Sequence, residues 1–162
     1  MSAFLPVRNI ALVLVFATLP VVVHANIGED LVHLRARYGS VTYVGPQLLF
    51  EVRLNQGQIQ PAAGTPNPEE HLTVTVYLDN DRSVMEVFTR NSSDPAKSEI
   101  SPSDIDTILA AASDGQKWSS VEVSNGKQTW VREDKKILGR LSPNSTGDPN
   151  GASVFIVMLN SK

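Results

Sequence analysis

Apolar side chains alternate with polar ones along several segments of this chain, and this periodicity constrains the fold more than any other feature. Every second residue is apolar in Leu48–Leu54, and His71–Leu78 repeats the pattern. A period of two places alternate side chains on opposite faces of a strand, so each segment predicts a strand with one buried face. Similar runs predict further strands at residues 41–44, 84–88, 117–124, 127–132 and 137–141. Residues 152–159 are apolar without alternation, which predicts a strand in a central, well-covered position.

Two segments have a helical period instead. The first has an apolar stripe at spacings of four, three and four residues, formed by Ile27, Leu31, Leu34 and Tyr38. Arg35 and Arg37 lie in its last turn, where cations complement the helix dipole. The second helix has Ser101 as its predicted N-cap and Pro102 at its first helical position. Asp104, at the third helical position, approximates a capping box with Ser101.

The predicted order of elements is α-β-β-β-β-α-β-β-β-β. We therefore assign the chain to the α+β class, as antiparallel sheet with two helices packed on one face. The recurrence of one helix and four strands leaves open a duplicated α-β-β-β-β unit. Residues 55–70 contain three prolines and two glycines and predict a single long loop. Asn125-Gly126 predicts a two-residue hairpin turn that pairs Val121 with Trp130 on one face.

The N-terminus resembles a secretory leader. Residues 10–23 form an uncharged apolar run after a front end that carries Arg8, and the run is too short to span a bilayer. Ala25 offers a small side chain to a signal peptidase, which predicts cleavage between Ala25 and Asn26. We therefore expect a signal peptide at residues 1–25, a single domain at 26–162, and a periplasmic or extracellular location.

Composition limits what the exported domain does. The chain has no cysteine, so neither a lipid-modified cysteine nor a disulfide supports it. Loss of the leader removes one of the 14 basic residues and leaves all 17 acidic ones, so the mature chain is acidic. Nucleic acid binding needs clustered cations and is not expected. No segment after the predicted cleavage site has the length and hydropathy of a membrane span.

The start of the predicted domain resembles two exported families. Ile27-Gly28, the short amphipathic helix and the Tyr38-Gly39 pair are similar to the opening of small outer-membrane-assembly lipoproteins and of β-lactamase-inhibitor-protein-like domains. The part from Ile100 to Arg132 resembles uncharacterised exported bacterial proteins. The resemblance implies protein–protein contact outside the cytoplasm. The lipoproteins' cysteine anchor and the inhibitors' disulfides are both missing here.

The sequence indicates no catalytic, cofactor-binding or metal-binding residues. His33 and His71 lie far apart and lack the third ligand that zinc needs, so both are interpreted as structural. The Asp79-Asn80-Asp81 run lacks the later ligands of a calcium loop and predicts a hairpin turn. Asp104 and Asp106 are interpreted as residues of an exposed helix face.

Two aromatic residues are the candidates for partner binding, namely Trp118 and Tyr43, because large amphipathic side chains anchor many interfaces. We expect a non-enzymatic domain that binds another protein or a component of the cell envelope through a sheet face or the loops at 55–70 and 142–151. Two alternatives stay open, a secreted inhibitor-like module with an enzyme as its target and a small secreted hydrolase that uses carboxylates.

Overall fold

A computed structural model of the chain describes residues 27–55, 57–62, 71–90, 92, 94, 97–122, 127–142 and 153–160. The predicted signal peptide and its predicted cleavage site at Ala25–Asn26 lie outside these residues. The described part contains two helices, α1 (Leu31–Tyr38) and α2 (Pro102–Ala111). Its strands are β1 (Val41–Val44), β2 (Gln47–Asn55), β3 (Gln58–Pro61), β4 (His71–Asp79), β5 (Arg82–Thr89), β6 (Trp118–Glu122), β7 (Gln128–Arg132), β8 (Ile137–Ser142) and β9 (Val154–Leu159).

The strands form one antiparallel sheet, which with the two helices confirms the mixed α+β class. Along the sheet the order is β1-β2-β4-β5-β9-β8-β7-β6, and β3 pairs with the second half of β2. The first four strands of this order come from the N-terminal half and the last four from the C-terminal half. The order is therefore symmetric about the β5–β9 pair, which joins the two halves.

The two faces of the sheet differ in burial. We call the more buried one the core face. It is lined mainly by aromatic and aliphatic side chains of the central strands, namely Leu48, Phe50, Val52, Leu72, Val74, Val76, Phe88, Phe155 and Val157. Most side chains on the other face, the outer face, are half-buried or exposed. β9 lies in the interior of the sheet, as its continuous apolar sequence predicts.

α1 begins after Asp30, whose carboxylate accepts a hydrogen bond from the backbone N–H of His33 at 3.0 Å. It ends at Gly39, where φ is 86° and the glycine N–H donates to the carbonyl oxygen of Arg35. The last helical residue, Tyr38, packs its ring 5.3 Å from the ring of Phe50. This contact fixes the C-terminal end of α1 against the core face.

α2 has the capping box that the sequence predicts. The Ser101 hydroxyl accepts from the Asp104 N–H, and the Asp104 carboxylate accepts from the Ser101 N–H. Arg90 donates to the same carboxylate at 2.9 Å. Asp104 is consequently buried, so its assignment to an exposed helix face is wrong, whereas Asp106 is exposed as expected. α2 approaches β8 at Gly139, where an added Cβ would stand 3.1 Å from Leu109.

Two predictions about the strands are corrected. The segment 55–70 is not one uninterrupted loop, because β3 pairs with β2 and places Ile59 against the core. In the β6–β7 hairpin the register differs by one residue, so Trp130 pairs with Ser120, and Val121 pairs with Thr129. Val121 and Trp130 therefore lie on opposite faces of the sheet. The residues of the turn itself, 123–126, lie outside the described part.

Candidate functional site

The clearest candidate binding feature is the edge strand β1. It ends the sheet order, and its sequence, Val-Thr-Tyr-Val, carries no charge. Its last two side chains are largely exposed, Tyr43 at 58% and Val44 at 51%. Natural edge strands commonly carry charges or prolines that prevent pairing with other chains. β1 lacks both, so its sequence and exposure are compatible with the addition of another strand.

Tyr43 was predicted as a partner-binding residue, and it lies beside α1. Its hydroxyl accepts a hydrogen bond from Arg35 Nη2 at 3.1 Å, and both side chains are on the surface. One helical turn before Arg35, Val32 is 74% exposed. The exposed surface of α1 and β1 therefore combines an aromatic ring, a cation and aliphatic groups, a composition common in protein interfaces. We call these residues, Val32, Arg35, Tyr43 and Val44, the β1 surface.

Trp118, the other predicted partner-binding residue, lies at the opposite end of the sheet in β6. It is half-buried and packs against the core, and its indole Nε1–H donates to the carbonyl oxygen of Leu109 at 2.8 Å. The bond satisfies one of the carbonyl groups near the C-terminus of α2. These contacts give Trp118 a role in joining α2 to β6. The structure therefore does not bring Trp118 and Tyr43 together.

A buried polar cluster lies under α1. Arg37 forms ion pairs with Glu29 and with Glu86, the latter at 3.3 Å between Nη1 and Oε1. Tyr38 accepts from Arg37 at 3.2 Å and donates to Glu86 Oε2 at 2.9 Å. The side chains of Arg37 and Glu86 are each 1% exposed. Burial of charges without partners would be costly, so the mutual pairing accounts for the presence of these groups in the core.

The electrostatics of the cluster follow from its burial. Removal from water raises the pKa of the Glu86 carboxyl above its ordinary value, although Arg37 and the Tyr38 hydroxyl act in the opposite direction. Burial likewise raises the pKa of the Tyr38 hydroxyl well above its ordinary value, and the neighbouring Glu86 adds to the shift. Because Arg37, Tyr38 and Glu86 pair with one another inside the core, we assign the cluster to stability.

The residues just before α1 are held by Ser83 at the start of β5. The Ser83 hydroxyl accepts from the N–H groups of Gly28 and Glu29 at 3.0 and 3.1 Å. Backbone bonds join Gly28 N–H to the Ser83 carbonyl and Ser83 N–H to the Glu29 carbonyl. Arg82 donates to the Gly28 carbonyl at 2.8 Å. The segment that leads into α1 is thus attached to the middle of the sheet.

The other side chains considered from the sequence are dispersed. His33 is on the surface and contacts Asp30, whereas His71 is buried in β4. Asn80 and Asp81 have φ of 50° and 61° and form the predicted hairpin turn. Over the described ranges, no three His, Asp or Glu side chains are grouped so that they could hold a metal ion. Neither described helix is long and apolar enough to cross a membrane.

Sequence reasoning missed the buried cluster, although a signal for it exists. Arg37 was interpreted through the helix dipole alone. However, Glu86 and Phe88 are two residues apart in β5, so their side chains lie on the same face of the strand. The alternation in β5 therefore already predicts a carboxylate on the buried face. A carboxylate in that position requires a cation or several donors nearby.

Comparisons with models of protein families, with curated proteins and with solved structures find no match to this chain.

Proposed function

We propose that this chain is an exported, non-enzymatic protein whose domain binds an extended segment of another protein of the cell envelope. The observation that carries the proposal is the uncharged, exposed edge strand β1 with its Tyr43 side chain. Export is supported by the apolar leader at residues 1–25, and it places the partner in the periplasm or outside the cell.

Strand addition is the binding mode that fits β1. A segment that pairs with β1 would form main-chain hydrogen bonds along the free side of the strand, and alternate side chains would provide specificity. Tyr43 lies on the core face beside α1, and Val44 lies on the outer face, because neighbouring residues of a strand point in opposite directions. The partner would therefore contact apolar groups on both faces, with Arg35 available to an acidic group.

The duplicated α-β-β-β-β unit belongs to the same proposal. Each half would contribute one helix and four strands, and both helices would cover the core face. The symmetric strand order supports this arrangement, as do the contacts of Tyr38 with Phe50 and of Leu109 beside Gly139. β3 has no counterpart among the described strands of the second half, so the second half would lack this insertion.

Site-specific photo-cross-linking in the producing cells tests the binding site. Tyr43 is replaced by the photoreactive analogue p-benzoylphenylalanine, and the matched control carries the same analogue at Val121. Val121 is 49% exposed in β6, the strand at the other end of the sheet. We expect one prominent adduct from position 43 and none of the same mass from position 121. Mass spectrometry of the adduct then shows whether the partner is an enzyme, as an inhibitor would require.

A charge in the edge strand provides an independent check. Tyr43→Lys should reduce the amount of the cross-linked partner recovered by affinity capture about tenfold, because an edge lysine opposes strand addition. Val121→Lys adds the same charge to β6 and should leave recovery unchanged. Equal losses in the two variants, or equal adducts from the two positions, would contradict binding at β1.

A further inference from the structure

A row of mainly apolar side chains runs across the outer face of the sheet, and it is apolar without interruption from Tyr77 on β4 to Val131 on β7. The paired residues in this first row, taken from β1 to β6, are Val44, Gln47, Tyr77, Met85, Met158, Leu138, Val131 and Ser119. Directly opposed residues of antiparallel strands lie side by side on one face, so the apolar members form a continuous stripe. Most of these side chains are half-buried, although they belong to the side of the sheet that faces away from the core.

A second row runs beside the first and is nearly free of charge. Its members are Thr42, Leu49, Thr75, Val87, Ile156, Arg140, Thr129 and Val121. Arg140 is its single charged side chain. In a third row, Glu51 lies on β2, next to Thr73, whose hydroxyl donates to its carboxylate at 3.1 Å. Among the described residues of these three rows, the charged side chains are thus one cation, Arg140 on β8, and one anion, Glu51 on β2.

The central part of this face has the size of a protein interface. Five strands at about 4.8 Å spacing and three rows at about 6.8 Å spacing cover roughly 24 by 20 Å, or about 500 Å² in projection. Side-chain relief makes the accessible area larger than the projection, which brings it towards the roughly 800 Å² that each partner buries in a standard interface. The face is mixed, because Gln47, Glu51 and Arg140 lie among its apolar side chains, and patches of a few hundred Å² with this character often mark interaction sites.

The positions of the two charges match a two-fold arrangement. A rotation by half a turn about an axis along β5 exchanges β4 with β9 and β2 with β8, according to the strand order. Arg140 of one copy would then lie over β2 of the other, within side-chain reach of Glu51. Arg53 lies one row further along β2. Near the axis, Tyr77 would meet Met158, a favourable sulfur–aromatic pair.

We propose that the outer face of the sheet is a homodimer interface, in which two copies stack face to face around an axis along β5. The interface would have an apolar centre formed by β4, β5 and β9, and it would be bordered by two symmetric Arg140–Glu51 pairs. Such packing is the arrangement of a β-sandwich, with the two sheets about 10 Å apart. In this arrangement β1 would lie over β7 of the other copy, outside the apolar centre, while Tyr43 on the core face would stay accessible. The proposal does not rest on the binding mode proposed above.

Sedimentation equilibrium tests the stoichiometry. The full-length sequence is expressed, and the protein that the cells produce is purified without further truncation. We expect a monomer–dimer equilibrium with no higher species, since a two-fold interface closes on itself. Met158→Lys should raise the dimer dissociation constant about a hundredfold or more, because the dimer would desolvate two unpaired ammonium groups. Val121→Lys, outside the five central strands, is the matched control and should leave the constant within about twofold.

The two charges provide a test that does not depend on changes in the apolar centre. Arg140→Glu and Glu51→Arg should each weaken the dimer about tenfold, because both place like charges opposite each other. The double variant should recover most of the lost affinity, which only an arrangement with these residues opposed predicts. A protein that stays monomeric at all concentrations would overturn the proposal. A dimer that withstands Met158→Lys and both charge reversals, or one that Tyr43→Lys disrupts, would also overturn it.

Discussion

Glu86 is a buried carboxylate that is stable in the sheet only because its neighbours pair with it. It lies in the middle of the sheet beside Val157, with its carboxylate held between Arg37 and Tyr38. A carboxylate in such a place is tolerated because its neighbours supply a cation and a hydroxyl donor, and it is costly when it ionises. Since burial raises its pKa, the folded state holds the proton more tightly than the unfolded chain does.

We predict that Glu86 makes the stability of the protein fall as pH rises. Below the ordinary glutamate pKa both states are protonated at this position and the residue has no pH effect. Between that value and the raised folded pKa, the unfolded chain releases its proton first, so unfolding becomes more favourable. Glu86→Gln does not titrate and keeps the size of the side chain. The difference in melting temperature between the Gln variant and the parent should therefore grow from pH 4 towards neutrality.

Asp30→Asn serves as a comparison, because hydrogen bonds from His33 lower the pKa of the exposed Asp30 carboxyl. A lowered folded pKa gives stability that is present above the unfolded value and is lost as pH falls. The contribution of Asp30 to the change of stability with pH should therefore have the opposite sign to that of Glu86. A gap between Glu86→Gln and the parent that stays constant across this pH range would contradict the assignment of Glu86.

Gly139 is required by the close approach of α2 to β8. An added Cβ would lie 3.1 Å from both Leu109 and Phe155, closer than most such contacts in proteins. Gly139→Ala should lower the free energy of unfolding by about 1–3 kcal/mol, the usual cost of overpacking a core. Ser119→Ala, at an exposed position of β6, should change it by less than about 0.5 kcal/mol. Urea denaturation of the two variants measures the difference, and equal stability would show that α2 shifts to accommodate the methyl group.

Among the elements, α2 has the local signals that sequence reasoning uses best. Its N-cap, its first-turn proline and its capping box all come from adjacent residues, and all were predicted. The one-residue register error in the β6–β7 hairpin has a different origin. The turn type was inferred from Asn125-Gly126 alone, whereas cross-strand packing of Trp130 next to Phe155 also selects the register.

We predict that the cap of α2 contributes measurably to stability. Ser101→Ala removes the acceptor for the Asp104 N–H and should lower the free energy of unfolding by about 1 kcal/mol. Ser119→Ala, at an exposed position of β6, should have an effect of only a few tenths of a kcal/mol. Chemical denaturation of both variants tests the comparison. Similar losses from the two substitutions would argue against the capping role.

β3 was missed because its sequence resembles a loop. Gln58–Pro61 has two glutamines, a proline and one aliphatic residue, and strand propensities do not favour such a segment. Its pairing depends on β2, which extends to Asn55. β1 pairs with only the first half of one edge of β2, and β3 pairs with the second half of that same edge. Tertiary contacts of this kind, including Pro61 beside Gly39, cannot be derived from local periodicity.

At the scale of the whole molecule, element types followed from sequence patterns, and positions in the sheet did not. The interior location of β9 was predicted from its apolar composition. By contrast, the pairing of β9 with β5, which comes far earlier in the chain, has no local signal. The same limit applies to the candidate site. The size of Tyr43 suggested a binding role, but its place on an edge strand next to Arg35 depends on the folded sheet.

Processing of the leader gives a prediction for the entire chain. The protein recovered from the periplasm or medium should begin at Asn26, as N-terminal sequencing would show. Replacement of Ala25 by a bulky residue, as in Ala25→Trp, should cause the precursor to accumulate, because the peptidase pocket accepts small side chains. Ser2→Ala in the front end is a control that should be processed normally. Recovery of the unprocessed parent chain from the cytosol would contradict export.

β9 is the last of the described strands along the chain, yet it lies between β5 and β8. Until Val154–Leu159 has left the ribosome, both of these neighbours end in unpaired edges, and nothing joins the two halves of the sheet. The sheet can therefore close only after Val154–Leu159 has been synthesised. Under the proposed export, a chain whose sheet closes late would be easier to thread through a translocation channel than one whose sheet closes early.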